Sequence, residues 1–225
     1  MERIAAAWDY FWRVSANISD GLGVTLGLFA LTLLFSIPLG LIISLGAISR
    51  FKPIAWLVKF YIWLLRGTPL LLQLLFVYFG LPLLFGLNID NFAAAVIAFV
   101  LNYAAYFAEI FRAGIQSIDK GQFEAAKALG LSSGQTMWRV VIPQTISRIL
   151  PPVGNESITL VKDTSLVSII ALSDIMHQTR TIVMREASVA AFVVAAVFYL
   201  VMTFVLTKLF DYLEKRFSKS ERFEN

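Results

Sequence analysis

With 225 residues, 58% of them hydrophobic, and a mean hydropathy of +0.75, the chain is far more apolar than one soluble core requires. Nineteen Lys and Arg against fifteen Asp and Glu leave a net charge of +4, an excess that suits the cytoplasmic loops of a membrane chain better than a nucleic-acid surface. The absence of Cys excludes disulfides and thiolate metal sites, and a single His leaves neither a histidine cluster for zinc nor a hydrolytic triad.

In chain order, the first twenty residues lack a basic start followed by an apolar run. Asp9 and Arg13 interrupt Trp8, Phe11 and Trp12, so an interfacial helix is expected rather than a cleaved signal peptide. Leu22 to Ile48 run without charge and form a first span, closed by Arg50, Lys52 and Pro53. A second span is expected from Pro69 to Leu87, broken by Gly80 and Pro82. A third follows from Phe92 to Phe111, carrying Asn102, Tyr103, Tyr106 and Glu109. Residues 116–148 are polar, contain an amphipathic helix and end before Pro151 and Pro152. A fourth span runs from Pro152 to Leu172 and a fifth from Ala187 to Phe210. The expectation is one all-α membrane domain, residues 1–225, of about five transmembrane helices with neither repeat nor linker.

Alternate sides differ in basic residues. Residues 49–66 hold four Lys and Arg, 112–148 five and the tail from Lys208 five, against Arg3, Arg13, Arg180 and Arg185 on the other side. The excess places the two basic loops and the C-terminus in the cytoplasm, and five spans then put the N-terminus outside.

The long loop reads Glu124-Ala125-Ala126-Lys127-Ala128-Leu129-Gly130, nine further residues, then Val140-Val141-Ile142-Pro143. Alanines of high helix propensity and little bulk suit a short rigid helix that approaches a neighbour closely. Gly130 is placed to end it and Pro143 to begin or bend the next segment. Alone, Glu-Ala-Ala is also ordinary surface-helix sequence. The full spacing resembles the loop of the membrane subunits of binding-protein-dependent ABC importers, with Val140 and Ile142 as apolar exchanges at the hydrophobic positions.

Arg66-Gly67-Thr68-Pro69-Leu70-Leu71-Leu72-Gln73, Ala108 to Gly114, Gln116 to Gln122, Leu150 to Glu156 and Lys162 to Leu166 are similar to the polar amino acid permeases of that family, so the resemblance covers nearly the whole chain. It implies a type I importer transmembrane fold in a bacterial cytoplasmic (inner) membrane. It implies partners as well: an ATP-binding subunit dimer, a second permease subunit, identical or related, and an extracytoplasmic amino-acid-binding protein. No Gly-x-x-x-x-Gly-Lys-Ser/Thr phosphate loop occurs, so the chain is expected to be a transport subunit and not an enzyme. It would bind no cofactor of its own, with ATP and Mg on the partner ATPase. Glu124, Ala125, Ala126, Gly130 and Pro143 are the expected ATPase-coupling residues.

Ionisable groups within a span are costly and therefore mark function. Glu156 and Asp163 are seven residues apart, nearly two turns, and share a face suited to a cationic ligand; the alternative pairs Asp163 with Lys162 or with local structure at Thr164 and Ser165. Gln73, Asn102, Tyr103 and Tyr106 are further substrate-binding candidates, with helix–helix hydrogen bonding the competing role. Arg66 and Glu109 are placed near cytoplasmic ends, in structural pairing or gating. His177 falls in the outer loop as a surface histidine. Arginine, lysine or histidine is the expected substrate, with glutamine, cystine and similar polar amino acids open.

For a self-contained secondary transporter or channel five spans are few unless it oligomerises, and an ion-driven carrier has no use for the docking loop. An intramembrane enzyme lacks a metal cluster or nucleophile.

Overall fold

A bilayer offers no water to backbone donors and acceptors, so an apolar chain there forms helices or closed barrels. The computed structural model describes residues 1–218 and contains helices without strands among them. Helix α1 (Glu2–Ser19) leads to α2 (Leu22–Ala47) and α3 (Lys52–Gly67). Next come α4 (Leu70–Leu75), a π segment Phe76–Gly80, and α5 (Leu81–Phe85). Helix α6 (Asn91–Gln116) precedes α7 (Lys120–Ala128), α8 (Ser133–Thr136) and a second π segment, Met137–Val141. Helix α9 (Ile142–Asp163) continues as a 3₁₀ segment, Thr164–Ile170, before α10 (Ile175–Glu186) and α11 (Ala190–Ser218).

Helices α2, α6 and α11 are long and apolar enough to cross a membrane. A further helix precedes the expected second span, and the two together are long and apolar enough to count as one broken span. Residues 52–67, expected in a basic loop, form a helix that packs on α6 and joins Leu70–Phe85 at a bend of 104°. Pro69 causes the break, because its ring forces Thr68 into extended backbone (φ −119°, ψ 146°). Helix α9 is too polar to pass as a span by composition, yet it lies between α6 and α11. It also begins before, and runs through, Pro151 and Pro152, which the sequence reading took as a boundary. Packing overrides the local cost of two prolines, about 3 kcal/mol each in a helix interior: Ile149 presses on Gly114 of α6 and Phe210 of α11 lies where a side chain on Gly154 would go.

Each π segment stands just ahead of a proline. Pro82 and Pro143 lack the N–H that the carbonyl four residues back would use, and those carbonyls, Tyr78 and Arg139, lie inside the two π segments.

The core follows α6. Thr25, Thr32, Ser36, Gly40 and Ser44 form a buried stripe along α2 that faces it. The Thr32 and Ser36 hydroxyls have no hydrogen-bond partner among the described residues, so small size rather than polarity earns them their place. The buried alanines of α6, from Ala94 to Ala108, complete the close approach around Phe99, Tyr103 and Phe107. On the other face of α2, Leu34, Phe35, Leu41, Ile42 and Leu45 are exposed, as a lipid-facing helix requires. Trp8 and Trp12 stand exposed on α1, in keeping with an interfacial helix. Of the basic tail, Lys219 and Arg222 lie outside the described residues.

Candidate functional site

The break at Gly67-Thr68-Pro69 opens a cavity of about 510 Å³ between the end of α3, the middle of α6 and the second half of α9. A broken helix leaves carbonyls without donors, which in a membrane must be satisfied within the protein. Here the Gln73 side-chain amide donates to the Leu65 carbonyl at 2.8 Å and to the Thr68 carbonyl and hydroxyl at 3.1 and 2.8 Å. Asn102 donates to Leu65 O at 3.2 Å and to Gln73 Oε1 at 3.0 Å. Gln73 therefore fastens the break and does not line the cavity, while Asn102 lines it with its amide nitrogen already engaged.

Glu156, Thr159 and Asp163 reach the cavity from α9, one turn apart in succession. Tyr103 and Tyr106 reach it from α6. Asp163 Oδ2 accepts the Tyr103 hydroxyl at 2.8 Å, so the carboxylate is held across the α6–α9 seam rather than by its neighbour Lys162, which is exposed. Glu156 has no salt bridge or side-chain hydrogen bond among the described residues. Two carboxylates line one cavity, and like charges so placed would attract a cation.

Arg66 also lines this cavity, its guanidinium 5.3 Å from the Tyr106 ring centroid and 3.9 Å from Glu109. The sequence reading set Arg66 apart because it took residues 49–66 as a loop. Its position immediately before Gly67-Thr68-Pro69, a helix-breaking triplet in apolar surroundings, was the available signal.

At the far end of α6, α7 carries Glu124, Ala125 and Ala126, and Asp119 caps it by accepting from Gly121 N. Gly130 follows at φ +75°, a conformation that suits glycine and ends the helix within two residues. Pro143 occupies the first turn of α9. Ala126 is buried, whereas Glu124 and Ala125 are exposed together with the apolar Phe123, Leu129 and Trp138. These exposed apolar side chains lie on and beside a short polar helix outside the long apolar helices. His177, beyond the spans, is half-buried; its backbone N–H donates to Asp174 at the start of α10. Among the described residues no group of three or more His, Cys, Asp and Glu is arranged to hold a metal ion.

Residues 36–219 match the family of binding-protein-dependent transport system inner membrane components. The chain is 41% identical over 210 residues to the arginine transport system permease protein ArtQ of Bacillus subtilis (strain 168), covering 91% of this chain and 94% of that one. It is 39% identical over 202 residues to the probable glutamine ABC transporter permease protein GlnM of the same organism, covering 89% and 93%. A crystal structure of an amino acid ABC transporter with histidines superposes with a TM-score of 0.84 at 41% identity, covering 91% of this chain and 95% of that chain. The MetNI methionine ABC transporter in an inward-facing conformation shares the fold, with a TM-score of 0.70 at 15% identity, covering 93% and 98%.

Proposed function

The chain belongs to the binding-protein-dependent transport system inner membrane components, the permease subunits of ABC importers, and from that premise we propose that it carries cationic amino acids inward in an ATP-driven importer. The observation that carries the substrate class is the convergence of Glu156 and Asp163 on one cavity beside the break in the second span. Carboxylates in that setting favour a ligand with a net positive charge, such as arginine, lysine or histidine. Of the permeases named above, one is an arginine and one a probable glutamine permease, and the carboxylate pair is what favours the cationic class here.

Coupling is assigned to α7 and the turn at Gly130. Binding and hydrolysis of ATP with Mg belong to a separate ATPase dimer, whose clefts receive Glu124, Ala125 and the exposed Phe123 and Leu129. Closure of that dimer moves α7, and through α9 it alters the α6–α9 seam in which the cavity lies. The α7 end of the domain and the C-terminus face the cytoplasm, and the N-terminus faces outward, as the distribution of basic residues requires. There the external binding protein delivers the amino acid. A second permease subunit, a copy or a relative, completes the pathway.

The test is ATPase activity of the assembled transporter in nanodiscs with its binding protein, scanned across the twenty amino acids. Basic amino acids are expected to stimulate hydrolysis, and Glu156→Gln to lower arginine uptake about tenfold, the loss of one charge-assisted contact. Stimulation by neutral amino acids alone would discard the cationic assignment. Failure of the ATPase to associate would overturn the role of α7.

A further inference from the structure

Beyond the upper cavity, at the helix break, the α6–α9 seam holds a lower one of about 440 Å³, lined by Glu109, Gly114, Ser117, Arg148, Ile149 and Pro152. Both cavities of that seam contain carboxylates. A third cavity, also of about 440 Å³, has none. It lies where the C-terminal ends of the apolar helices α2 and α6 meet the start of α3, and its polar lining is Ser49, Lys52, Trp56, Lys59 and Gln116.

Most of that lining comes from one stretch of sequence. Lys52, Trp56 and Lys59 recur at steps of four and three residues, which puts them on one face of α3. Buried Ala55 is small enough to leave room between that face and Ala47 and Ile48 at the end of α2. Lys52 stands in the first turn of α3, where the helix dipole disfavours a cation, and neither an acidic residue nor a side-chain cap offsets it there. Neither lysine forms an ion pair among the described residues. The neutral groups point the same way. Ser49 Oγ accepts from Phe51 N at 3.2 Å, which leaves its hydroxyl proton to donate. Gln116 Oε1 accepts from Arg112 at 2.7 Å, which leaves its amide N–H groups. Two ammonium groups, a hydroxyl, an amide and the Trp56 indole N–H thus make a cavity of donors, the complement of an oxyanion.

The surroundings identify which anion. Leu45, Ile48, Phe51, Leu57 and Phe60 are exposed on the same stretches of α2 and α3, and the Trp56 and Phe60 rings stack with centroids 6.0 Å apart. An apolar rim with a tryptophan at the end of spanning helices belongs at the level where lipid headgroups meet acyl chains. We propose that this cavity binds the phosphate of an anionic phospholipid, whose acyl chains lie along the exposed apolar faces of α2 and α3. Lys52 and Lys59 take the phosphate oxygens, and Ser49 and Gln116 donate to the remaining headgroup oxygens. A zwitterionic phosphatidylethanolamine brings its own ammonium into a cavity with no carboxylate to receive it and binds more weakly. The bound lipid joins the ends of α2, α3 and α6 four residues before α7 begins. The site depends on α2 and α6 lying in the membrane and is independent of the substrate assigned to the upper cavity.

The experiment counts lipids retained by the assembled transporter in a neutral detergent, by native mass spectrometry, on titration with phosphatidylglycerol or phosphatidylethanolamine of equal chain length. Melting temperature is read alongside. The wild type is expected to hold phosphatidylglycerol about tenfold or more tightly, with about fivefold from each lysine. Lys52→Gln with Lys59→Gln should remove the preference, and Lys52→Arg with Lys59→Arg, which controls for folding, should keep it. Arg50→Gln with Lys120→Gln takes two charges from the same end of the domain but none from the cavity lining, and should leave the preference in place. An equal loss in that variant would reduce the effect to general attraction and overturn the site, as would equal retention of both lipids by the wild type. Inorganic phosphate that raises the melting temperature as much as phosphatidylglycerol, through the same two lysines, would make the ligand a soluble anion and overturn the lipid.

Discussion

Helix α6 meets α2 with Phe107, Ala104 and Ala108 so close to Gly40 that an added Cβ would lie 2.8–3.1 Å from them, whereas the face it turns to α9 leaves cavities of about 510 and 440 Å³. The first seam is lined by alanines, small hydroxyl residues and glycine, and the second by carboxylates, guanidinium groups and phenols. Helices without a hydrophobic drive between them associate through close van der Waals packing, and the α2 side uses it fully. The α9 side uses it in part, at Gly114 against Ile149, and elsewhere leaves open space. One side of the same helix is therefore close-packed and the other holds cavities, and a change of shape disturbs less packing along the second seam than along the first.

The largest expected effect follows from filling the tight seam. Gly40→Leu places a branched side chain against a Cβ and two backbone atoms that cannot move alone, and should cost about 3 kcal/mol or more. The check is the yield of monodisperse protein after detergent extraction, and normal yield and melting would show the α2–α6 seam to be as yielding as the other.

The next effect lies at the N-terminal end of α2, where Thr25 accepts a bond from Ile175 N at the start of α10. Asp174 is buried there, beyond the spans, and caps α10 through the N–H groups of Met176 and His177. Burial pushes its carboxyl up from 3.8 to about 6, with those backbone donors opposing the rise. The folded state then binds the proton more tightly than the unfolded chain. Stability from this group is full below about pH 4 and is lost as pH rises through 6, by at most about 3 kcal/mol. Thermal melting at pH 5 and 7.5 should show that trend in the wild type and a flatter one in Asp174→Asn, which retains a capping oxygen; equal slopes would refute it.

The smallest effect tests the α6–α9 seam. An added Cβ at Gly114 meets the Ile149 Cγ2 methyl at 2.1 Å, but that side chain borders the lower cavity and has somewhere to turn. Gly114→Ala should cost about 1 kcal/mol and Gly40→Ala about 2 or more, compared by melting temperature in the same detergent. A reversed order would erase the distinction between the seams.

Much of the site was legible because its signals are local. Costly charges at Glu156 and Asp163, seven residues apart, had to share a face of whichever helix carried them, and both line the upper cavity. Gln73 and Asn102 had equal claims as ligands or as helix-to-helix bonds, and the carbonyls freed at Thr68 decide that Gln73 fastens the break. Residues 52–67 were taken as loop because hydropathy counts Lys52, Lys59 and Arg66 against a membrane segment, while the pairing expected of Arg66 and Glu109 is present at 3.9 Å. Residues 52–67 nonetheless pack on α6 as a helix, presenting exposed Trp56, Phe60 and Trp63. The stripe Thr32, Ser36, Gly40, Ser44, with its four-residue spacing, was present in the sequence as a packing signal.

By itself the sequence determined the features that depend on near neighbours along the chain. These are the apolar runs, the break before Pro69, and a nine-residue helix capped by Asp119 and stopped by Gly130, because propensity, capping and backbone freedom act over a turn or two. Only the tertiary structure decided that α9 continues through Pro151 and Pro152. It also set Arg66 between Glu109 and the upper cavity, and joined Asp163 to Tyr103 across sixty residues. Those outcomes depend on which helix faces which, and that choice belongs to the close packing of α6 on its two unlike neighbours.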